Sequence, residues 1–498
     1  MSPNITSSEG TIESLATRGE LLPIVGAVDP NLEVAGIAKA LDGGPCVLFE
    51  NLTGFPGKRI VTNVFSRRSR FASLFGLEDE RQMKKRFLDA VKNPIPAREV
   101  ETGPSRANVI VEGIDVLGTI PVIKYTEHDP GRIMGGGIVL AMHPQIGVDL
   151  AFKRTHFQGR DWASMGLNMG SHLQHHSLEF AERKGKIPIT LNVCCVPSIL
   201  LVAASGYLPL LMPAGIDELA IAGALQGSPV EICSAKTVDA FALAQAEWVI
   251  EGYIDTSEVV WESEEAQKLG EVGKAPFFPE YAGYKGKAYR TFKFQATAVT
   301  HKDNPIYFAP LAHSQESTYL TGLAREAAVL DVCEKIAPGF VVDVNMLDAF
   351  KGHNGIVIQV RKRRRRDEGL QWNVIEAAFV ASRFLRMVIV VDDDIDIYNA
   401  EEVFWAINSR VEPTRDLIIN TGTRGDATSP IGRGGGTESL GISGKLGIDA
   451  TIHLAQKAQY QRAEHPAVDL SQWLTDEQIS AARSLQNDYS KILAMGRH

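Results

Sequence analysis

The chain has 498 residues, of which 44% are hydrophobic and 22% are charged, a composition typical of a globular protein with more than one domain. Its 51 Lys and Arg against 60 Asp and Glu leave a net charge of −9, so no overall positive field would recruit nucleic acid or anionic lipid. We therefore expect neither nucleic acid nor a membrane among its partners. The cysteines form no disulfide or zinc-binding pattern, and the first residues lack the basic and apolar regions of a signal peptide. These features predict a cytoplasmic protein.

The first part of the chain combines helical and strand patterns. Residues 32–41 and 81–91 have the apolar spacing of amphipathic helices, whereas CVLFEN and RIVTNVF are short apolar runs typical of buried strands. The proline-rich, polar segment NPIPAREVETGPSRANVIVEG follows. We predict that residues 1–118 form an N-terminal α/β region and that this segment leads out of it.

Residues 119–317 contain many short apolar runs separated by turn residues, among them GGGIVLAM, GVDLAFKR, IPITLNVCCV and YRTFKFQATAVT. This spacing predicts a largely antiparallel sheet or barrel, interrupted by helices at 168–184 and 240–250. No charged residue occurs from 187 to 216, a stretch long enough to span a bilayer. Because Pro197, Pro209 and Pro213 divide it, we interpret it as a buried strand and loop.

After residue 318, helical patterns alternate with apolar strands, as in LTGLAREAAVLDVCEKI, GIVIQV, NVIEAAFVASRFL, RMVIVV and AEEVFWAINSR. Such alternation predicts a separate C-terminal α/β domain, residues 318–468. The last segment, residues 469–498, contains an amphipathic pattern near 476–493, and we expect this helix to dock on another surface such as a second subunit. The predicted fold class is mixed α/β (α+β).

Charge runs and histidines give weak signals for binding sites. RKRRRR at 361–366 has the composition of a nucleic-acid patch, but in a chain of net negative charge a solvated loop is the favoured interpretation. DDDID at 392–396 either binds a divalent cation or only marks the end of a strand. His172 and His176 have a spacing that can hold a metal, but no carboxylate lies between them, which favours a surface or core role for the pair.

Several segments, taken together and in this order, resemble the UbiD family of reversible decarboxylases over nearly the whole chain. They are VDPNLEVAGIAK, VDLAFKR, MGSHLQHH, IDELAIAGALQGSPVEIC, AEWVIEGYI, PFFPEYAGY, VVDDDIDIYNAEEVFWAINSR and SGKLGIDAT. The resemblance implies an N-terminal α/β region, a central split β-barrel of the flavin-reductase type that holds the cofactor, and a C-terminal α/β domain used in oligomerisation. It also implies a homodimer or homohexamer.

The resemblance further implies a set of cofactors. Members of this family use prenylated FMN, supplied by a UbiX-type flavin prenyltransferase, with Mn²⁺ and K⁺ bridging its phosphate to the protein. The matched Mn²⁺ ligands are Asp149, His172 and Glu218, residue types that suit a hard octahedral cation. Asp149 stands where some relatives have asparagine. The positions matched to cofactor contacts are Ala151, Phe152, Lys153, Arg154, Ser171, His172, Tyr281 and Arg424, the last of them near the K⁺ site.

The same resemblance assigns two catalytic residues. Arg154 matches the family's active-site arginine, and a permanently charged bidentate donor can orient a substrate carboxylate. Glu280, in PEYAGY, matches the carboxyl group that replaces CO₂ by a proton. The acrylic-acid branch of the family has a second glutamate where this chain has Ala275, so we expect the Glu–Arg–Glu network of that branch to be incomplete here.

Residues that follow the predicted barrel offer a replacement for the missing glutamate. The protocatechuate branch places a histidine in this region, where the chain reads HSQESTYL and offers Ser317. His313 and Glu316 are nearby alternatives, and the sequence does not choose between them. Ala275, together with Phe277 and Phe278, predicts a roomy and apolar pocket.

These features predict a reversible, non-oxidative decarboxylase of an aromatic or heteroaromatic carboxylic acid, such as a phenolic, indole or phenazine carboxylate. One alternative is a ubiquinone-pathway decarboxylase that acts on a prenylated hydroxybenzoate. A second is a non-catalytic flavin-binding or scaffold protein, and a third is a nucleic-acid partner that binds through RKRRRR.

Overall fold

The computed structural model describes residues 4–143, 147–167, 173, 182, 185–206, 208–213, 215–425, 430–431, 441–463 and 465–495. The chain divides into two compact units, Met1–Thr451 and Ile452–His498. The first unit has a mixed α/β fold. None of the helices in the described part of the chain has the length and apolar character needed to cross a membrane.

The N-terminal part of the first unit consists of short helices around a four-stranded sheet. The helices are α1 (Ser8–Thr17), α2 (Glu33–Ala40), α3 (Arg68–Leu74), α4 (Met83–Lys92) and α5 (Val116–Thr119). The first strands are β1 (Leu21–Ile24), β2 (Cys46–Phe49) and β3 (Arg59–Thr62), and residues 306–308 add the fourth strand beside β3. The two helices and two strands predicted in this region are confirmed.

The middle of the first unit is a larger, mainly antiparallel sheet with two small sheets beside it. Its strands are β4 (Arg98–Glu99), β5 (Asn108–Ile110), β6 (Ile138–His143), β7 (Gly147–Phe152), β8 (Thr155–Phe157), β9 (Trp162–Met165), β10 (Lys186–Val193), β11 (Glu231–Ser234), β12 (Phe241–Leu243), β13 (Trp248–Trp261), β14 (Pro276–Pro279), β15 (Lys285–Lys287) and β16 (Arg290–His301). Eight of them form one sheet in the order β7-β6-β10-β13-β16-β9-β8, with β5 paired to β16. The strand that follows, β17 (Ile306–Phe308), is the one that joins the N-terminal sheet.

This eight-stranded sheet is curled. Register shifts interrupt the pairing of β13 with β16 between Glu251 and Gly252 and between Asp255 and Val259, and such bulges bend and twist a strand. Among the described strands the path ends at β7 on one side and at β8 on the other. The structure therefore contains a half-barrel, and a closed split barrel of the flavin-reductase type stays a prediction.

Three helices flank the half-barrel: α6 (Pro197–Ser205), α7 (Glu218–Gln226) and α8 (Glu264–Leu269). The uncharged stretch begins as the predicted buried strand β10, but the loop expected after it is wrong, because α6 forms there. This helix is apolar on every side and buried, so its sequence lacks the amphipathic period that marks a surface helix. The helix predicted at 240–250 is also wrong, since these residues form β12 and the start of β13. The helix predicted at 168–184 lies almost entirely outside the described residues.

The C-terminal part of the first unit is a five-stranded sheet in the order β18-β19-β20-β22-β21. Its elements are α9 (Gln315–Ile336), β18 (Val341–Asn345), β19 (Gly355–Val360), α10 (Leu370–Ala381), β20 (Met387–Asp392), α11 (Ala400–Arg410), β21 (Leu417–Arg424) and β22 (Ile442–Ala450). Separate apolar clusters cover the two faces of this sheet. The predicted alternation of helices and strands is confirmed, and the parallel pairing of β19 with β20 explains why these two strands read as continuous apolar runs.

The two charge runs lie against each other. Arg361 binds Asp393 at 2.6 Å, while Arg410 binds Asp392 at 3.3 Å and Asp394 at 2.6 Å. The first three carboxylates of DDDID therefore have arginine partners, which does not favour a cation site. Within the basic run Lys362 is buried and binds Glu368 at 2.9 Å, whereas residues 363–366 are exposed, in agreement with a solvated loop.

The second unit contains α12 (Asp476–Met495), which confirms the predicted terminal helix. In its described part, Val468, Leu470 and Trp473 are 57%, 42% and 66% exposed.

Candidate active site

Arg154 lies directly after β7, with its guanidinium between two carboxylates. Its Nη2 atom is 3.3 Å from Glu262 Oε2, and its Nη1 atom is 3.4 Å from Glu280 Oε1. The three side chains are 23%, 3% and 12% exposed, respectively, so the cluster is largely removed from water but still open on one side. Burial alone would lower the pKa of Arg154, but the two carboxylates raise it above its ordinary value. Arg154 is therefore a permanent cation in this cluster.

Glu262 is a site residue that the sequence analysis missed. It follows β13 immediately, the N–H of Tyr289 donates to its Oε2 at 2.8 Å, and His156 Nδ1 lies 2.8 Å from its backbone oxygen. In the sequence it is one of several acidic residues in WESEEAQKL, and nothing there distinguishes it except its place at the end of a long strand. Ala275 provides no carboxylate, as expected, and the structure places the carboxylate of Glu262, from a different position in the chain, beside Arg154.

Glu280 occupies the turn of a hairpin formed by β14 and β15. The turn is closed by hydrogen bonds from Glu280 N to Tyr284 O at 3.0 Å and from Gly283 N to Glu280 O at 2.9 Å. Gly283 has a φ of +84°, a conformation that glycine adopts without strain. The hairpin therefore presents the Glu280 carboxylate at a defined point in front of Arg154.

An apolar wall borders this cluster. The ring of Phe277 lies 5.0 Å from the Arg154 guanidinium carbon and 5.9 Å from the His156 ring. Burial lowers the pKa of His156 below its ordinary value, which favours a neutral imidazole. Phe278 packs edge-on against Tyr125 at 4.8 Å. This surrounding supports the predicted apolar pocket.

Asp149 and Glu218, two of the three predicted metal ligands, lie side by side. Asp149 is in β7, Glu218 is the first residue of α7, and an isolated bridge between Val148 and Asp217 brings the two segments together. Asp149 is 7% exposed and Glu218 is 6% exposed. Burial, followed by repulsion from Asp149, raises the pKa of Glu218 well above its ordinary value. The third predicted ligand, His172, lies outside the described residues.

This pair of carboxylates fits a hard divalent cation. Among the described residues, the Oδ2 atom of Asp149 is buried and has no hydrogen-bond partner, while Glu218 Oε2 accepts the N–H of Leu150 at 2.6 Å. A pair of buried carboxylates, in which Asp149 has an oxygen without a hydrogen-bond partner among the described residues, offers the donors that Mn²⁺ or Mg²⁺ takes. Lys153 is 2% exposed and electrostatically coupled to both carboxylates, and burial lowers its pKa. Within the described ranges, no group of three His, Cys, Asp or Glu side chains has the geometry of a metal site.

The residues predicted to contact the cofactor do not all lie in the same sheet. Ala151 and Phe152 are the last residues of β7, where they pair with Val139 and Ile138 of β6, and Lys153 continues directly from them. Ser171, like His172, lies outside the described residues. Arg424 is exposed at the end of β21, in a different sheet from Asp149 and Arg154.

The three residues near the start of α9 that could replace the missing glutamate contact different parts of the protein. His313 Nδ1 lies 2.9 Å from the carbonyl oxygen of Tyr281, so His313 contacts the Glu280 hairpin, and burial lowers its pKa. Glu316 is fully buried, and its Oε1 accepts the N–H of Phe65 at 3.0 Å, in the N-terminal region. Ser317 is half-buried in the first turn of α9, where its N–H donates to the N-cap of the helix.

Three domains of one family match the chain. They are described as the N-terminal domain of 3-octaprenyl-4-hydroxybenzoate carboxy-lyase (UbiD) at residues 12–87, the Rift-related domain at 98–314 and the C-terminal domain at 318–450. Together they span most of the chain. The protein therefore belongs to the UbiD family of carboxy-lyases.

Individual relatives cover nearly the full chain. Gallate decarboxylase of Lactiplantibacillus plantarum is 29% identical over 461 residues, which is 88% of this chain and 92% of that protein. The apo structure of a 3,4-dihydroxybenzoic acid decarboxylase from Enterobacter cloacae has a TM-score of 0.85 and 28% identity, covering 94% of this chain and 98% of that one. An evolved dimeric form of the UbiD-class enzyme HmfF from Pelotomaculum thermopropionicum, solved with prFMN, has a TM-score of 0.80 and 30% identity, covering 94% and 100%.

Proposed function

We propose that this protein catalyses the reversible, non-oxidative decarboxylation of an aromatic or heteroaromatic carboxylic acid with prenylated FMN. The observation that carries the proposal is the position of Arg154 between Glu262 and Glu280. A cation that can bind a carboxylate, beside a carboxyl group that can deliver a proton, is what exchange of CO₂ for H⁺ requires. Relatives that act on gallate and on 3,4-dihydroxybenzoic acid support an aromatic substrate.

Arg154 binds the substrate carboxylate. Its contacts to Glu262 and Glu280, at 3.3 and 3.4 Å, are longer than the 2.7–2.9 Å of a tight charged hydrogen bond, so its N–H groups can turn to a third carboxylate. Glu262, fixed by the Tyr289 N–H, keeps the guanidinium oriented. Phe277 limits access of water and packs against the substrate ring.

Glu280 carries the proton. It is more exposed than Glu262 and lies at the hairpin tip, where its Oε atom can reach a substrate held on Arg154. After the C–CO₂ bond breaks, Glu280 donates its proton to the ring carbon; in carboxylation it takes the proton back. When bound, prenylated FMN supplies the electron sink that cleavage at an aromatic carbon requires.

Asp149 and Glu218, with His172, would hold Mn²⁺, which would neutralise the cofactor phosphate. Ala151, Phe152, Lys153, Ser171 and Tyr281 would line the cofactor, and Arg424 would lie near K⁺. Family membership supports the remaining parts of the proposal. These are a UbiX-type prenyltransferase as cofactor supplier, a homodimer or homohexamer, a cytoplasmic location, a closed split barrel, and boundaries near residues 118, 317 and 468.

The test uses protein purified anaerobically from cells that co-express a flavin prenyltransferase. We expect bound prenylated FMN with manganese, and CO₂ release from at least one member of a panel of hydroxybenzoate, indole and phenazine carboxylates. Arg154→Ala and Glu280→Gln should each lose roughly 10²–10⁴-fold in turnover per bound cofactor, with the cofactor content of each variant measured by absorbance and intact mass.

Arg160→Ala is the matched control, because Arg160 is 73% exposed and forms a surface ion pair with Asp115 at 3.5 Å. Its turnover should equal that of the wild type. Full activity of the Arg154 or Glu280 variant with cofactor loaded would contradict the proposed roles. A loaded wild type that releases no CO₂ from any acid would contradict the proposed function.

A further inference from the structure

The hairpin that carries Glu280 needs support from other parts of the chain. Among the described strands, β14 and β15 pair only with each other. An isolated two-stranded hairpin is marginally stable in water, and its tip is the part most free to move. The position of the Glu280 carboxylate therefore depends on the side chains that contact the tip.

Tyr281, the residue after Glu280, contacts the C-terminal part of the first unit. Its ring stacks on the imidazole of His353, with centroids 3.9 Å apart and planes 16° apart. Its hydroxyl lies 3.0 Å from Asn354 Oδ1 and 2.8 Å from Asn354 Nδ2, close enough to donate to one and accept from the other. Tyr281 is 8% exposed, so these contacts are shielded from water.

His353 and Asn354 are held by the five-stranded sheet. Asn354 directly precedes β19, and its carbonyl oxygen accepts the N–H groups of Arg386 and Met387 at 2.8 and 3.0 Å, where β20 begins. His353 Nδ1 lies 2.9 Å from the backbone oxygen of Lys351. The backbone of Asn354 is therefore fixed by the sheet, and His353, the residue before it, is held by contacts within the preceding turn.

The backbone of the tip has a further contact, with His313. His313 Nδ1 lies 2.9 Å from Tyr281 O, and a Cβ atom added to Gly283 would lie 2.9 Å from the His313 ring. The tip is thus contacted by His313 as well as by His353 and Asn354. Two independent supports on a short turn leave little freedom for the carboxylate.

We propose that Tyr281, His353 and Asn354 form a tip clamp through which the C-terminal sheet positions Glu280 for proton transfer. His353 and Asn354 are then positioning residues that act through Tyr281, and the inference rests on the proposed role of Glu280 as proton donor. Loosening the clamp displaces the proton donor and leaves the Arg154–Glu262 contact in place. The turnover number kcat therefore falls, whereas KM for the acid stays nearly constant.

The kinetic test compares holoenzyme variants in the C-terminal sheet. His353→Ala removes the stacked ring, His353→Phe restores a ring, and Asn354→Ala removes the hydrogen bonds. We expect the two alanine variants to lose roughly 10–100-fold in kcat with KM and cofactor content unchanged, and His353→Phe to retain most of the activity. Tyr319→Phe is the control, because it removes a similar hydroxyl contact, to Asp348 at 3.2 Å, away from the hairpin.

A second measurement does not depend on activity. Hydrogen–deuterium exchange of peptides covering residues 276–288 should be faster in His353→Ala and Asn354→Ala than in the wild type, and close to wild type in His353→Phe and Tyr319→Phe. Unchanged exchange or unchanged kcat in both alanine variants would overturn the clamp and leave the proposed function intact. If the loaded wild type decarboxylates no acid, the proposed role of Glu280 fails, and the clamp's catalytic purpose fails with it, whatever the exchange data show.

Discussion

Glu262 and Glu316 show how the surroundings of a buried carboxyl group determine its chemistry. Both are nearly inaccessible to water, at 2% and 0% exposure. Glu262 faces the cation Arg154 and accepts a backbone N–H. Glu316 accepts the N–H of Phe65, and burial outweighs the opposing effects of its backbone hydrogen bonds and of Arg70, so its pKa rises to about 7.

The pKa of Glu316 predicts a dependence of stability on pH. Because the pKa in the folded state lies above the value of about 4.3 expected for an unfolded chain, the folded protein binds more protons between these two pH values. This contribution to stability is fully present below the unfolded pKa and is lost as pH rises through about 7. The free energy of unfolding of Glu316→Gln, relative to that of the wild type, should therefore increase by about 1.4 kcal/mol per pH unit between pH 5 and 7.

Urea unfolding at pH 5, 6 and 7 measures this difference. Glu264→Gln is the control, since the Glu264 side chain is 84% exposed, and its difference from the wild type should not change with pH. A constant difference for Glu316→Gln across this range would show that Glu316 does not titrate there.

Among the elements, prediction from the sequence succeeded where the hydrophobic residues repeat with one clear period. It failed where pairing with distant strands determines the secondary structure. The alternation after residue 318 predicted α9 to α11 and the strands β19 and β20. By contrast, AFALAQAEWVI reads as a helix, yet Val249 and Ile250 are fully buried in β13, with β10 on one side and β16 on the other. Two flanking strands override local helix propensity, and a single sequence does not reveal them.

The hairpin turn provides the prediction at this scale, through Gly283→Ala. A side chain at a φ of +84° destabilises the folded state by roughly 1–2 kcal/mol, and the new Cβ would press on His313. Gly270→Ala is the matched control: its φ is +66°, but no atom lies within 4 Å of the added Cβ. Thermal unfolding should show a larger loss for Gly283→Ala, and this variant alone should lower kcat. Equal losses in both variants would mean that His313 does not restrain the tip.

Across the whole molecule, the site brings together segments that are far apart in the sequence, and their spacing does not indicate that they meet. Arg154 follows β7, Glu262 follows β13, and Glu280 lies on a hairpin. Family resemblance pointed to Arg154 and Glu280 because their motifs are distinctive, but Glu262 matched no motif. Asp149 and Glu218 meet only because one bridge pairs their neighbouring residues. Long-range pairing of this kind is determined by the folded sheet and is not encoded in local spacing.

Ion pairs hold the N-terminal helices against the C-terminal part of the first unit. Arg68 of α3 binds Glu326 of α9 at 2.6 Å, and Lys84 of α4 binds Asp343 of β18 at 2.8 Å. Glu326 is fully buried and also accepts the N–H of Met346. The stability of the folded protein depends strongly on both members of such a pair, because removing one leaves a buried charge without a partner.

Glu326→Gln tests this connection and its pH dependence. Burial alone would raise the pKa of Glu326, but Arg68 and Lys84 lower it below its ordinary value. The ion pair therefore stabilises the protein above the unfolded pKa of about 4.3, and this stabilisation is lost as pH falls through the lower folded value. In urea unfolding, Glu326→Gln should lose about 3 kcal/mol at pH 7, and the loss should shrink below pH 4. As the control, Lys268→Ala breaks an exposed pair with Glu264 and should change stability by less than about 0.5 kcal/mol at any pH. A similarly small effect of Glu326→Gln would mean that the buried pair does not stabilise this contact.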